Sequence, residues 1–141
     1  MKLSINRTDV WATTIDDRPG AVADKLAALA KAGANLGFII ARRMPEQRGS
    51  GVLFVTPLIG ARQKKAAEAS GFQRTESLHS VRAEGQDKAG LGARMTRAIA
   101  AAGVNLRGLS AAAIGKRFVT YLALDTAADA TKVAGILRKL A

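Results

Sequence analysis

The residues best suited to binding a small molecule form a motif that occurs twice, 70 positions apart. In each copy a glycine-containing loop precedes an alanine-rich run, and an Asn-Leu pair follows it. The loop would place free N–H donors and a partial positive charge at a helix N-terminus, which suits a carboxylate. A glycine lets a ligand approach the backbone closely, and an asparagine amide both donates and accepts hydrogen bonds. The candidate ligand-binding residues are Asp17, Arg18, Pro19, Gly20, Ala21, Val22, Asn35 and Leu36 in the first copy, and Asp87, Lys88, Ala89, Gly90, Leu91, Gly92, Asn105 and Leu106 in the second.

The acidic and amide residues of the motif also have structural interpretations. Asp17 and Asp87 could accept a hydrogen bond from a ligand ammonium group, but capping a helix N-terminus is the commoner role of such a residue. Asn35 and Asn105 could simply be turn-tolerant residues after a helix stop. Because the asparagine recurs in the same register, the repeat favours the functional interpretation of this pair.

The repeat itself predicts a duplicated small domain. Residues 17–36 and 87–106 are identical at nine of twenty positions, four of which are alanines. The informative matches are the aspartate, the two glycines, the asparagine and the leucine. A single period of 70 residues is too long for a solenoid repeat, so we expect two separate units.

Hydrophobic periodicity predicts the elements of each unit. Trp11, Thr13 and Ile15 should share one face of a strand, and a helix whose first turn contains Pro19 should bury Val22, Leu26, Leu29 and Ala30. In the second copy, a helix should bury Leu91, Met95 and Ile99, and Asp125 or Thr126 should cap the last helix. The predicted strands are 2–6, 8–15, 35–44, 52–55, 72–78, 79–84, 104–114 and 118–124, with helices after Pro19 and at 61–70, about 89–102 and up to 140, and a hairpin turn at Gly115-Lys116.

This order predicts an α+β fold of two ferredoxin-like units, each βαββαβ, with antiparallel sheets and both helices on one face. We expect the first unit to span residues 1–77 and the second residues 78–141. The second unit has no fourth strand of its own. We therefore expect residues 2–6 to fill or extend a position in its sheet, because an open edge leaves backbone groups unpaired.

Composition limits the classes of function. The net charge is +11, which raises nucleic acid as a partner, but 1–70 carries eleven basic and six acidic groups and 71–141 carries eleven and five. Since no tail or single helix holds the excess charge, the sequence disfavours nucleic acid. There are no cysteines, no secretory leader and no apolar run long enough for a membrane span. We expect a cytoplasmic protein with no membrane contact.

In the first copy of the motif, Asp-Arg-Pro-Gly follows a strand and leads through a helix of about thirteen residues to Ala-Gly-Ala-Asn-Leu, and this arrangement resembles the ACT domain. The second copy resembles another ACT unit. The resemblance covers nearly the whole chain. As a whole, the chain resembles free-standing tandem ACT proteins of the amino-acid-binding regulatory type. It implies a regulatory protein without cofactor that binds an effector, usually an amino acid, where two ACT units meet. It also implies a homodimer and a separate partner enzyme. Some members have a histidine two residues before the loop aspartate, where this chain has Ile15 and Gly85; the second copy also has Ala89 in place of the proline.

No pattern in the sequence predicts catalysis. His79 is the single histidine, and the serines and carboxylates near it in the sequence form no pattern that suggests a triad. There is no metal-ligand cluster, phosphate-binding loop or dinucleotide fingerprint. The alternative function is a basic ferredoxin-like module that binds nucleic acid or another protein. Phe118 and Tyr121 are three residues apart on a predicted strand, so they face opposite sides and cannot both stack bases on one face.

Overall fold

A computed structural model describes residues 2–75 and 79–140. Within these residues, eight strands and four helices form two compact units, one of residues 9–75 and the other of residues 2–8 with 79–140. The chain begins with strand β1 (Ser4–Thr8), which belongs to the second of these units. Residues 9–75 are therefore inserted between the first strand of that unit and the rest of it.

Unit 9–75 has the βαββαβ order that the sequence predicts. Its elements are β2 (Trp11–Asp16), α1 (Ala21–Lys31), β3 (Phe38–Arg43), β4 (Ser50–Thr56), α2 (Gly60–Ala69) and β5 (Gln73–Arg74). The sheet order is β3-β4-β2-β5 and each neighbouring pair is antiparallel. Trp11 and Thr13 are buried and Ile15 packs against the core, so the predicted inward face of this strand is confirmed.

The second unit repeats this topology with β1 in the outer position. Its other elements are β6 (His79–Gln86), α3 (Leu91–Ala101), β7 (Leu106–Ile114), β8 (Arg117–Leu124) and α4 (Ala127–Arg138), and the sheet order is β1-β6-β8-β7. Strand β1 runs antiparallel to β6, from Ser4 opposite Glu84 to Thr8 opposite Ser80. It takes the place beside β6 that β5 takes beside β2.

Each unit has its own hydrophobic core between sheet and helices. In unit 9–75 the fully buried side chains include Leu29, Leu53 and Phe72. In the other unit, Leu91, Met95 and Ile99 of α3 are at most 2% exposed, as their helical spacing predicts. Burying each such side chain contributes about 1.5–3 kcal/mol, so these stripes fix the helices on their sheets.

Several element boundaries differ from the prediction. Helix α1 begins at Ala21 because Gly20 adopts a left-handed conformation (φ 88°), which leaves Pro19 outside the first turn. Ala30 was expected in the core but is exposed. The strand predicted at 35–44 is β3 and starts only at Phe38. The strand predicted at 72–78 pairs only at Gln73–Arg74, and residues 76–78 of it lie outside the described part. Thr126, not Asp125, caps α4, with Oγ1 accepting from the Asp129 N–H at 3.0 Å.

Candidate functional site

The two glycine loops have the same geometry and the same anchor. The Asp17 N–H donates to the carbonyl of Gly49 at 2.9 Å, and the Asp87 N–H donates to that of Lys116 at 2.8 Å, so each loop is tied to the turn of the neighbouring hairpin. Gly20 and Gly90 precede α1 and α3 at φ 88° and 81°, in the left-handed region that favours glycine. The recurring glycines thus have a structural reason in both units.

Neither loop aspartate caps its helix, so the capping interpretation is wrong. Gly20 and Gly90 occupy the N-cap positions, and no side chain makes a capping hydrogen bond at either helix. Asp17 Oδ2 instead accepts from Nε of Arg43 at 2.9 Å. First-turn N–H groups of a helix have no acceptor within the helix itself. The Ala21 and Leu91 N–H groups donate to the loop carbonyls of Arg18 and Lys88, and no side chain caps the other first-turn N–H groups of either helix.

The structure divides the predicted site residues into an exposed and a packed group. The packed group contains Ala21 and Leu91, which are buried, and Val22, Leu36 and Leu106, which are partly buried against the cores. These side chains anchor their segments to the body of each unit. The exposed group contains Asp17, Arg18, Pro19, Gly20, Asn35, Asp87, Lys88, Ala89, Gly90, Gly92 and Asn105.

Loop and asparagine lie at opposite ends of each unit. Asp17 is bonded to Gly49, just before β4 begins, whereas Gly37, two residues after Asn35, donates to the carbonyl of Thr56, where β4 ends. A seven-residue strand spans about 23 Å, so one unit does not bring its own loop and asparagine together. The second unit repeats this separation, because Asp87 bonds to Lys116 and Leu106 pairs with Leu124 at the far end of β8.

A cavity of about 500 Å³ opens beside the first loop, entirely within unit 9–75. It lies along β2, past the two residues of that strand that β5 covers. The first turn of α1 forms one wall of the cavity, and the end of α2 forms another. The lining residues are Thr14, Ile15, Asp16, Arg18, Ala21, Asp24, Lys25 and Ser70.

Charged groups of both signs surround this cavity. A guanidinium nitrogen of Arg18 lies 3.2 Å from Asp24 Oδ2, and another lies 3.8 Å from Asp16 Oδ2. Lys25 Nζ donates to the carbonyl of Ser70, which ties α1 to the end of α2. Two carboxylates and two cations therefore meet here, an arrangement that can pair with both charges of a zwitterion.

Sequence reasoning missed four of these polar residues, Thr14, Asp16, Asp24 and Ser70, as site candidates. It also gave no binding role to Lys25, a residue of α1. The available signal was the repeat, since the position 70 residues after Lys25 is Met95, a core residue. A lysine in one copy and a buried methionine in the other marks a position where the two units differ in function or packing.

The open face of the second sheet carries a polar network. Arg82 donates to Tyr121 Oη at 3.1 Å and to Glu84 Oε2 at 2.8 Å, and Arg117 donates to Glu84 Oε1 at 3.0 Å. Hydrogen bonds from Arg82 and Arg117 lower the pKa of the Glu84 carboxyl. Phe118 packs on the core, so Phe118 and Tyr121 face opposite sides, as predicted.

No group of three or more His, Cys, Asp or Glu side chains in 2–75 and 79–140 is placed to hold a metal ion. None of the helices in that part of the chain has the length and apolarity needed to cross a bilayer.

No protein-family model and no curated protein matches this sequence. Solved structures do match its fold. A Bacteroides thetaiotaomicron protein, BT0572, aligns with a TM-score of 0.77 at 16% identity, covering 96% of this chain and 99% of that one. The regulatory subunit of aspartate kinase from Thermus thermophilus, in its ligand-free form, aligns at 0.62 with 19% identity, covering 96% and 95%. Escherichia coli aspartokinase III, in complex with aspartate and ADP, aligns at 0.57 with 17% identity over 96% of this chain and 32% of that one.

At these identities the likeness establishes the fold. The chain is an α+β protein of two antiparallel, ferredoxin-like units, and it has the tandem ACT-type architecture of the aspartate kinase regulatory subunits.

Proposed function

We propose that this chain is a non-catalytic, cytoplasmic regulatory protein that binds an amino acid or a related small metabolite. The observation that carries the proposal is the doubled loop. Each loop ends in a left-handed glycine and leads into a helix whose first-turn N–H groups have no side-chain cap. Such a helix start favours a carboxylate, which every α-amino acid carries.

The separation of loop and asparagine adds a requirement for a second unit. A ligand that touches a loop and an asparagine at once must take them from different units, since within one unit the two lie at opposite ends of the sheet. Following the family resemblance, we propose that the effector lies where ACT-type units meet, within one chain or between two copies. Asn35 and Asn105 then hold the amino or carboxylate group through their amides.

The proposal is tested by thermal-shift screening of the twenty common L-amino acids against the full chain, followed by calorimetric titration of those that raise the melting temperature. Ligand binding to the folded state stabilises it in proportion to the logarithm of ligand concentration. We expect at least one amino acid to stabilise the protein, and Asn35→Ala together with Asn105→Ala to remove that stabilisation.

The chain offers a matched control. Asn6→Ala removes an exposed asparagine amide on β1 that is not among the candidate site residues, and it should leave the ligand-induced shift unchanged. The proposal of an amino-acid ligand is refuted if no amino acid shifts the melting temperature. The asparagine assignment is refuted if the double variant retains the full shift.

We further propose a homodimer and a separate enzyme as the regulated partner. The aspartate kinase neighbours are regulatory subunits or parts of an enzyme, which supports this role. The net charge of +11 supports the alternative of a nucleic-acid partner, but Phe118 and Tyr121 face opposite sides of their strand. Light scattering at high protein concentration tests the dimer, and a monomeric mass would refute it.

A further inference from the structure

We propose that one chain holds one zwitterionic ligand, in the cavity of unit 9–75, and that the matching place in the second unit is closed by the N-terminal strand β1. This inference rests on the proposed binding of an amino acid, but it places the ligand inside unit 9–75, away from Asn35, and not between two units. The Asn35→Ala, Asn105→Ala double variant should then keep the ligand-induced shift. A single site also differs from an assignment to two equivalent loops, because only one of the two units carries the required groups.

The cavity can hold both charges of an amino acid at once. The ammonium of Lys25 has three donors, of which the Ser70 carbonyl takes one, so two can reach a ligand carboxylate. The carboxylates of Asp16 and Asp24 can accept from a ligand ammonium. Their side chains are 80% and 71% exposed, and exposed ion pairs contribute little stability, so Arg18 can exchange either carboxylate for a ligand at low cost.

The size of the cavity suits the same class of ligand. A volume of about 500 Å³ lies within the range of small-molecule sites and leaves space for a side chain beyond the charged head group. Ile15 and Ala21 supply an apolar part of the lining, while Thr14 adds a hydroxyl. The charges are balanced, so the cavity favours a neutral zwitterion over a free anion or a free cation.

The matching place in the second unit lacks these groups. The counterparts of Ile15, Asp24 and Lys25, 70 residues on, are Gly85, Arg94 and Met95. Met95 is only 2% exposed and lies in the same core cluster as Leu3. The lysine of the cavity is therefore replaced by a buried methionine, and the two carboxylates of Asp16 and Asp24 are replaced by Gln86 and Arg94. Among the four charged residues of the cavity, Arg18 alone has a counterpart of the same charge, Lys88.

In the second unit, strand β1 also covers the sheet edge whose counterpart stays open in unit 9–75. β5 pairs with β2 only at Trp11 and Ala12, whereas β1 pairs with β6 as far as Glu84, the counterpart of Thr14. Just beyond that pair, Leu3 fills the space over Gly85, and a Cβ at Gly85 would lie 2.6 Å from Leu3 Cδ2. The short β5 leaves a cavity, and the longer β1 with its leucine fills the equivalent place.

The experiment is isothermal titration calorimetry of the full chain with each of the twenty common L-amino acids. An amino acid that binds is then compared with the amine and the carboxylic acid that each lack one of its charges. We expect one site per chain, and binding at least tenfold weaker for the amine and the acid. We expect Lys25→Met, which installs the residue found in the second unit, to weaken binding at least tenfold, since a charge-assisted hydrogen bond is lost.

Lys31→Met is the matched control, because it removes the same charge from the same helix at an exposed position outside the cavity. Asp24→Asn is a second test that does not depend on the Lys25 bridge to α2, and it should also weaken binding. Retention of wild-type affinity in both Lys25→Met and Asp24→Asn, or any stoichiometry other than one, overturns the inference and leaves the proposed function in place. If none of the twenty amino acids binds, both fall.

Discussion

Gly85 provides a sharp test of how β1 is built into the second unit. An ideal Cβ at this position would lie 2.6 Å from Leu3 Cδ2, whereas carbon atoms in contact normally lie about 3.5–4.0 Å apart. In Gly85→Ala, the leucine must therefore move by about 1 Å although it is only 7% exposed. Overpacking of this kind costs about 1–3 kcal/mol, and the loss of glycine flexibility in the unfolded chain returns about 0.4–1 kcal/mol.

We thus expect Gly85→Ala to lower the free energy of unfolding by about 1–2 kcal/mol in urea denaturation followed by far-UV circular dichroism. Hydrogen exchange should locate the loss in β1 and β6. Gly135→Ala is the control, because Gly135 lies inside α4 and a Cβ there meets no atom within 4 Å. This substitution should stabilise the protein by about 0.5–1 kcal/mol, since alanine is the better helix former.

A double-mutant cycle decides whether Leu3 is the cause. Leu3→Ala alone should lower the free energy of unfolding by about 2–4 kcal/mol, because it leaves a buried cavity. In the Gly85→Ala background the same change should cost at least about 1 kcal/mol less, because the clashing methyl group is gone. Simple additivity of the two changes, within about 0.5 kcal/mol, would refute the contact on which this reasoning depends.

Three further predictions concern single interactions. Thr126→Ala should cost about 1 kcal/mol in denaturant unfolding through loss of the α4 cap, while a change below about 0.3 kcal/mol would contradict that role. Glu84 has a lowered pKa, so its contribution to stability is present above its unfolded-state pKa and is lost as the pH falls through its folded-state pKa. The stability of wild type relative to Glu84→Gln should therefore be greatest at neutral pH and shrink in acid, and a pH-independent difference would be inconsistent with the paired carboxylate. Gly90→Ala should destabilise by about 1–2 kcal/mol, since φ is 81° there, and unchanged stability would show that the loop relaxes.

The topology could be predicted from the sequence because two features of the repeat are local. The loop glycines and the helix-ending glycines, Gly33 and Gly103, all need positive φ, and all four have it. The stripe of Leu91, Met95 and Ile99 has the spacing of one helix face and is buried. Requirements of this kind act within a few residues, so they can be recognised without knowledge of the rest of the fold.

The cavity could not be predicted because it depends on where strand β5 begins. Residues 72–78 have a pattern compatible with a strand, but within the described residues pairing with β2 covers only Gln73–Arg74, and pairing is decided by distant residues. The role of Asp17 was likewise hidden, since its partner Arg43 is on another strand and no local pattern links the two. The separation of each loop from its own asparagine followed only when the hydrogen bonds at both ends of β4 were known.

The pairing of Thr8 with Ser80 means that the polypeptide leaves the second sheet and re-enters it at adjacent positions. On the ribosome, β1 is made first, yet its neighbour follows only after all of residues 9–75 have been synthesised. The inserted unit can therefore fold before β1 has a partner strand, and the pairing of β1 with β6 is a late, long-range event in biogenesis. Because the two positions are adjacent, a short linker from Thr8 to His79 would remove the insert and leave every residue pair between β1 and β6 in place.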